Sequence, residues 1–192
     1  MVARKTVVKE LTRDMIMDAA RDLFVEKGYQ QVSMRQIAKV LNYSHGAIYY
    51  HFKNKAELFY ALVEKHFLML DHEIEQIVHG DTSNEEKLRQ LFLGYIEFGL
   101  THQSHYEIMF LVKDNEVRNF INNSPMKTYE NFARQVSRLS EKQMSIREIW
   151  SIFIALHGFV THYLRHITTF NEVKSAAEFH VNMLLCWTKK KG

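Results

Sequence analysis

Residues that form turns and covalent cross-links are scarce in this sequence of 192 residues. Proline occurs once and glycine seven times, which argues against an all-β fold, because its strands need turn residues about every 8 to 12 positions. The single cysteine, Cys186, excludes an internal disulfide. It also excludes a cysteine-rich zinc or iron–sulfur site, since such sites need several thiolates. We therefore expect an all-α protein that needs no cofactor.

Long hydrophobic runs are also missing. No stretch approaches the roughly 18 uncharged apolar residues that read as a membrane-spanning helix, and residues 1–13 lack the apolar segment of a secretory signal. Hydrophobic residues make up 46% and charged residues 24% of the chain, which is ordinary for a globular protein and excludes a disordered one. We expect a cytoplasmic location and no membrane partner.

Acidic residues are absent from one window near the N-terminus. Residues 1–60 carry a net charge of +4 and the rest of the chain carries −1. No acidic side chain lies between Glu26 and Glu57. The window contains five cations, which are Lys27, Arg35, Lys39, Lys53 and Lys55. A window of one sign in a balanced protein favours an anionic partner, although a plain solvated face has the same pattern.

Apolar residues at helical spacing and capping motifs predict about nine helices. The expected helices are residues 12–28, a helix of two to three turns that follows Ser33 and includes Leu41, and residues 45–51, 54–78, 84–102, 104–113, 125–140, 145–167 and 173–190. The most loop-like segment, 79–84, marks a domain boundary. We expect an N-terminal domain over 1–54, a connecting helix from 55 to about 78, and a C-terminal domain over 80–192.

Residues 33–52 have the size of a helix-turn-helix. Ser33 and Gln36 form a capping box before the first helix, and Asn42 tolerates the left-handed backbone of a turn. The second helix is too short to be stable alone, because isolated helices below about 12 residues are marginal, so it must pack on its neighbours. The residues expected to form the small internal core are Ile37, Ala38, Leu41 and Ile48.

From Thr12 to Leu62, about a quarter of the chain, the sequence resembles the tetracycline-repressor (TetR) family of bacterial transcription regulators. The residues that carry the resemblance at the family's spacing are Ile37, Ala38, Gly46, Tyr49, His51, Phe52, Lys55 and Leu58. Two departures are small: the family usually has glycine where Asn42 stands, and often threonine where Ser33 stands. Both residues keep the backbone chemistry that the position needs.

The resemblance implies roles for residues near the second helix. Four residues match positions that contact DNA phosphates, namely Tyr49, Tyr50, His51 and Lys55. Four others match positions that face base edges, namely Ser44, His45, Gly46 and Ala47. Arg35 matches a position on the first helix that reaches a base, where its fork suits a guanine. Two of these residues have structural alternatives: Tyr49 could pack in the core, and His51 could bond to the next helix.

For the C-terminal part the resemblance implies only a layout: a helical ligand-binding domain, and a homodimer formed by the last two long helices. Both predicted helices, 145–167 and 173–190, carry two apolar stripes. A helix that is apolar on two faces needs two burial partners. One partner is its own domain, and the other is either a twin subunit or, in a monomer, more of the same core.

Aromatic residues in the C-terminal part suit an apolar pocket for a small effector. The candidates are Phe67, Tyr95, Phe98, Met109, Phe110, Phe153 and His157, with His157 as the polar contact. An aromatic residue at helical spacing is, however, more often an ordinary core residue than part of a pocket. The pairs His102/His105 and His162/His166 have metal-ligand spacing on a helix, but no carboxylate motif accompanies them, so we expect no metal site.

The sequence contains no catalytic signature, such as a nucleophile elbow or a glycine-rich phosphate loop, so we expect no enzyme. The prediction is a DNA-binding regulator, a repressor in the first instance, that binds a palindromic operator as a homodimer and is released by an unknown small molecule. Alternatives are a helical interaction or nucleoid-associated module without an effector, a head that binds protein, and a small enzyme that uses the pocket.

Overall fold

The computed structural model describes residues 10–111 and 124–189, and the regular structure within these ranges is entirely helical. The predicted all-α fold class is therefore confirmed. The α-helices of these ranges are α1 (Arg13–Lys27), α2 (Met34–Leu41), α3 (His45–His51), α4 (Lys55–His79), α5 (Asn84–Thr101), α6 (Gln103–Tyr106), α7 (Ser124–Leu139), α8 (Ile146–Tyr163) and α9 (Lys174–Leu185). A π-helical turn, Glu107–Leu111, follows α6, and 3₁₀ turns cover Phe170–Glu172 and Cys186–Thr188.

The described residues form two compact units, 10–62 and 63–111 together with 124–189. Helix α4 begins in the first unit and continues into the second. In the described ranges, no helix combines the length and the apolar character needed to cross a bilayer.

The first unit folds around the apolar face of α1. Thr12 caps the helix by accepting a hydrogen bond from the backbone N–H of Met15 at 3.2 Å. Gly28 ends it with a φ of 81°, a backbone conformation that glycine adopts without strain. Behind α1, the rings of Phe24, Tyr29 and Phe59 pack together with centroids 5.1 to 5.5 Å apart. This aromatic cluster is the core on which the shorter helices rest.

The second unit is built around α5, which packs against α6, α7, α8 and α9. Gly99 allows the closest approach, because a Cβ there would lie 2.6 Å from Cγ1 of Val160 and 2.9 Å from Cδ2 of Tyr106. Both distances are well inside van der Waals contact. The missing side chain at residue 99 therefore lets α8 and the ring of Tyr106 lie directly against α5.

The helix predicted over 145–167 ends early, at Tyr163. Leu164 has a ψ of 130° and Arg165 has a left-handed φ of 63°. Tertiary contacts explain the break: the backbone N–H of Arg165 donates to Oε1 of Gln103 at 2.8 Å, and its guanidinium donates to both carboxylate oxygens of Glu107, at 2.6 Å for Nη2. Glu107 is buried, so these bonds outweigh continuation of the helix.

Two other predicted helices also differ from the structure. The one expected over 104–113 is a short α6 that continues as the π-helical turn, and residues 112 and 113 lie outside the described residues. The one expected over 173–190 is α-helical only to Leu185 and then tightens into a 3₁₀ turn. In the latter turn, the hydroxyl of Thr188 donates to the carbonyl of Leu185 at 2.8 Å.

Candidate nucleic-acid interface and ligand cavity

Helices α2 and α3 are joined by a tight, capped turn. Oγ of Ser33 accepts from the N–H of Gln36 at 3.3 Å, and the Gln36 side chain accepts from the N–H of Ser33 at 2.6 Å, which completes the predicted capping box. Asn42 has the left-handed angles φ 58° and ψ 39°. The N–H of Tyr43 then donates to the carbonyl of Ala38 at 3.0 Å, so the chain reverses within three residues before Ser44 caps α3.

Helix α3 is fixed by buried side chains on its inner face and by Arg13 at its C-terminal end. The side chains of Ile48 and Phe52 are fully buried. The guanidinium of Arg13, at the start of α1, lies 3.9 Å from the centre of the Phe52 ring and donates a hydrogen bond to the carbonyl oxygen of His51. Sequence reasoning missed this role of Arg13, because no local pattern links it to residues 38 positions later.

The outer face of α3 is open. The side chain of Tyr50 is 88% exposed and that of Tyr49 is 42% exposed, so Tyr49 does not pack in the core; its ring contacts that of His45 at 4.6 Å instead. Gly46 adds open space, since a Cβ there would meet nothing within 4 Å. Ser44 and His45 are also exposed, and Ala47 is partly so.

The cations of the acid-free window between Glu26 and Glu57 differ in how far they are exposed. Arg35 on α2 is exposed, as are Lys39 and Lys53. Lys55 is half-buried: its Nζ donates to the carbonyl of Tyr29 at 2.8 Å and lies 4.1 Å from the centre of that ring. Lys55 is therefore part of the internal packing of the first unit as well as a candidate phosphate ligand.

His51 lies at the C-terminal end of α3 and is half-buried. Its ring contacts that of Tyr50, with centroids 5.3 Å apart. Its main-chain carbonyl accepts a hydrogen bond from Arg13 of α1, which is a different contact from the bond to the next helix that the sequence suggested. Hence Tyr49 and Tyr50 present phenols to solvent, with His51 beside them at the edge of the same face.

In the second unit, aromatic rings enclose a small cavity of about 10 Å³, room for about one water molecule. It is lined by Phe67, Leu70, Ile74, Tyr95, Phe110, Thr128, Tyr129, Phe132 and Phe153. Four of the predicted ligand residues are in this set, whereas Phe98 and Met109 are buried elsewhere in the core. Leu70 and Ile74 of α4 and Thr128 and Tyr129 of α7 were missed, because periodicity cannot tell a cavity wall from ordinary core.

His157 lies beside this cavity and ends a chain of hydrogen bonds. The hydroxyls of Tyr95 and Tyr106 are 2.9 Å apart, and the Tyr106 hydroxyl is 2.5 Å from Nδ1 of His157. Burial raises the pKa of both phenols well above the ordinary value. Burial also lowers the pKa of His157, which favours the neutral imidazole at pH 7. This polar chain borders an otherwise apolar wall.

Around the other histidine pairs, no three potential metal ligands converge in the described ranges. The His102 and His105 rings are stacked with centroids 5.2 Å apart, and His105 stacks on His66 at 4.0 Å. Parallel stacked rings do not direct their nitrogens at one ion. His166 lies beyond the end of α8, so it lacks the helical spacing to His162 that the sequence suggested.

A capped helix, a three-residue turn and a short surface helix define the first unit as a helix-turn-helix head, which is followed in the chain by a larger helical unit. Residues 16–62 match the family model of bacterial regulatory proteins of the tetR family. These residues lie within the stretch where the sequence resembles the family, so the match shows a head of the tetR type. The family model covers the head region, so it assigns no role to the second unit.

The chain is similar to several known proteins. It is 30% identical over 99 residues to the HTH-type transcriptional activator FasR of Mycolicibacterium smegmatis, covering 51% of this chain and 45% of the relative. The fatty acid degradation regulator FadR of Bacillus halodurans has the same fold, with a TM-score of 0.79, 22% identity, and coverage of 92% of this chain and 97% of that one. FadR of Bacillus subtilis, solved with stearoyl-CoA, has a TM-score of 0.73, 20% identity, and coverage of 92% and 97%.

The chain spans about half the length of the curated relatives it matches first, between 45% and 55%. The solved structures cover nearly the whole chain, but at 20 to 22% identity. Their similarity therefore establishes the fold of the second unit and leaves its ligand to chemical argument.

Proposed function

We propose that this protein is a transcriptional regulator that binds a palindromic DNA operator through α3 and is released from it by a small, largely apolar ligand. The observation that carries the proposal is the open face of α3, with exposed Tyr49 and Tyr50, on a head that matches the tetR family. A B-DNA major groove, about 12 Å wide, admits a helix. The small residues Gly46 and Ala47 leave room for close approach.

Contacts within the head sort into two kinds. Hydroxyl and ammonium groups at Tyr49, Tyr50 and Lys55 suit phosphates, which hold the head in register without reading sequence. Arg35, His45 and Ala47 suit base edges, because arginine can pair with guanine and a methyl group can contact that of thymine. Ser44 and Gly46 allow the backbone at the start of α3 to come near the groove floor, and His51 supports the edge of the same face.

A second copy of this chain is part of the proposal. Exposed apolar side chains recur every four residues on α8 and again from α9 into the 3₁₀ turn that follows. They are Ile146, Trp150, Ile154, Phe179, Met183 and Trp187. The two helices are adjacent, since the rings of Phe159 and His180 lie 5.2 Å apart. A large apolar patch marks an interaction surface, and a two-fold dimer matches a palindromic site.

The ligand site is proposed to be the aromatic cavity of the second unit. The structures of similar fold include one solved with stearoyl-CoA, and a wall of phenyl rings suits an acyl chain or another apolar body. At about 10 Å³ the cavity must expand to admit such a ligand. A ligand that binds only an expanded state shifts the population towards it, and a hundredfold loss of DNA affinity needs about 2.7 kcal/mol of coupling.

Selection of bound duplexes from a random pool, using the full chain, tests DNA recognition directly. We expect a palindromic site with two half-sites about one helical turn or more apart. Failure to enrich any sequence would favour a nucleoid-associated or protein-binding module. The sign of control is tested separately: a promoter fusion carrying the selected site should be repressed by the protein, whereas increased expression would show activation, as in the name of FasR.

A further inference from the structure

We propose that the ligand of the aromatic cavity carries a hydrogen-bond acceptor, such as a ketone or ester carbonyl, and that Tyr95, Tyr106 and His157 form a relay that reverses to donate to it. This inference rests on the function proposed above and goes further by naming the chemistry of the ligand. The cavity is apolar except where Tyr95, Thr128 and Tyr129 line it. Thr128 already donates to the carboxylate of Asp71 at 3.0 Å.

Without a ligand, the direction of the relay depends on which nitrogen of His157 carries the proton. The pKa of His157 is lowered by burial, so the ring is neutral and one nitrogen is an acceptor. With Nδ1 as that acceptor, the Tyr106 hydroxyl donates to it, and the Tyr95 hydroxyl donates to Tyr106. Each phenol has a single proton. In this arrangement Tyr95 therefore has no proton left for a second partner.

The opposite direction is equally compatible with the two distances. If Nδ1 carries a proton, it donates to Tyr106, Tyr106 donates to Tyr95, and the Tyr95 proton becomes available to a ligand. A carbonyl oxygen at Tyr95 stabilises this second arrangement, because burying a carbonyl without a hydrogen-bond donor is unfavourable. A molecule without an acceptor gains nothing from the reversal. The relay thus distinguishes an apolar carbonyl compound from a hydrocarbon of the same length.

Reversal needs a proton on Nδ1, either in the other neutral tautomer or in the imidazolium. The titratable groups on the helices around His157 are Tyr95 on α5, Tyr106 on α6, Tyr129 on α7 and His180 on α9. The nearby acid of the π-helical turn, Glu107, is held by Arg165. Tyr129 lines the same cavity but does not belong to the relay, which makes it a matched control.

The experiment compares 2-decanone with decane on the full chain. Calorimetry measures both affinities, and ¹⁵N NMR of labelled histidine follows Nδ1 of His157, assigned with the variant His157→Gln. We expect 2-decanone to bind about tenfold more tightly than decane, equivalent to one ordinary buried hydrogen bond, and to move the Nδ1 resonance to its protonated position. Tyr95→Phe should abolish the preference, and Tyr129→Phe should retain it.

Tyr106→Phe separates the relay from a direct contact. The Tyr95 hydroxyl is then free to donate, so the preference for 2-decanone should persist while Nδ1 of His157 no longer responds. Equal affinity for the two compounds, or a preference without a change at Nδ1 in the unaltered protein, would overturn the relay and leave the cavity as a ligand site. Failure of both compounds to bind would overturn the proposed ligand site together with the relay.

Discussion

The guanidinium of Arg13 covers the ring of Phe52 at 3.9 Å and at the same time donates to the carbonyl of His51. The side chain of Arg13, at the start of α1, thereby gives a hydrogen-bond donor to a carbonyl in the last turn of α3. It also packs over Phe52, the buried residue that follows α3. Helix α3 has only seven residues, too few to be stable alone. The orientation of the proposed recognition helix therefore depends on a residue outside the helix-turn-helix.

Arg13→Ala should lower both stability and DNA affinity. Loss of a charged hydrogen bond and a cation–π contact corresponds to about 1–2 kcal/mol of unfolding free energy, and a loosened α3 binds all DNA sequences less well. Urea unfolding and fluorescence anisotropy at fixed salt measure the two effects. Arg21→Ala is the control, because Arg21 lies on the same helix and pairs with the exposed carboxylates of Asp18 and Asp22. Equal effects of the two substitutions would contradict the role of Arg13.

Lys55 and Tyr50 should behave differently although both are proposed phosphate ligands. Tyr50→Phe removes a hydroxyl from a side chain that is 88% exposed, so it should weaken binding to specific and random DNA alike, with no change in stability. Lys55→Ala should weaken both and also lower the free energy of unfolding by about 1 kcal/mol, because its ammonium holds the Tyr29 carbonyl. Thermal unfolding compared with anisotropy separates them, and an unchanged melting temperature for Lys55→Ala would refute this dual role.

Gly99→Ala should destabilise the second unit by about 1–3 kcal/mol, the usual range for overpacking a core. The new Cβ would lie 2.6 Å from Cγ1 of Val160, so α8 must shift. The control is the double variant Gly99→Ala/Val160→Ala, which removes the atom that clashes most. Chemical unfolding at one protomer concentration should show it to be less destabilised than the two single effects added together. If the two losses of unfolding free energy simply add, the contact between residues 99 and 160 does not set the distance between α5 and α8.

Ile154→Glu or Phe179→Glu should convert the protein to a monomer, because each places a charge in the proposed dimer face. The two side chains are 51% and 68% exposed in the single chain, so neither change disturbs the protomer's own core. Sedimentation velocity measures the mass. Leu68→Glu is the matched control, since Leu68 is 63% exposed on α4. A dimer that survives Ile154→Glu and Phe179→Glu together would place the interface elsewhere.

Local chemistry predicted the head well and the second unit only in part. The capping box at Ser33 located the start of α2, because a cap is a bond within a few residues. The predicted end of α8 was wrong, because the helix is ended by bonds between Arg165 and Glu107. These residues lie 58 positions apart, so no local pattern shows the contact. The π-helical turn likewise has no signature in spacing. Tyr129 was missed in the cavity wall for the same reason: helix packing decides which aromatic residues meet.

The central claim is that α3 and Arg35 read base sequence, and a binding series with operator duplexes substituted one base pair at a time tests it most directly. Arg35→Ala, His45→Ala and Ala47→Ser should each change the preference at particular base pairs, by about 1–3 kcal/mol for a lost bidentate contact, whereas Tyr50→Phe should lower affinity uniformly. A sequence preference that is the same in all three variants as in the unaltered protein would contradict the account.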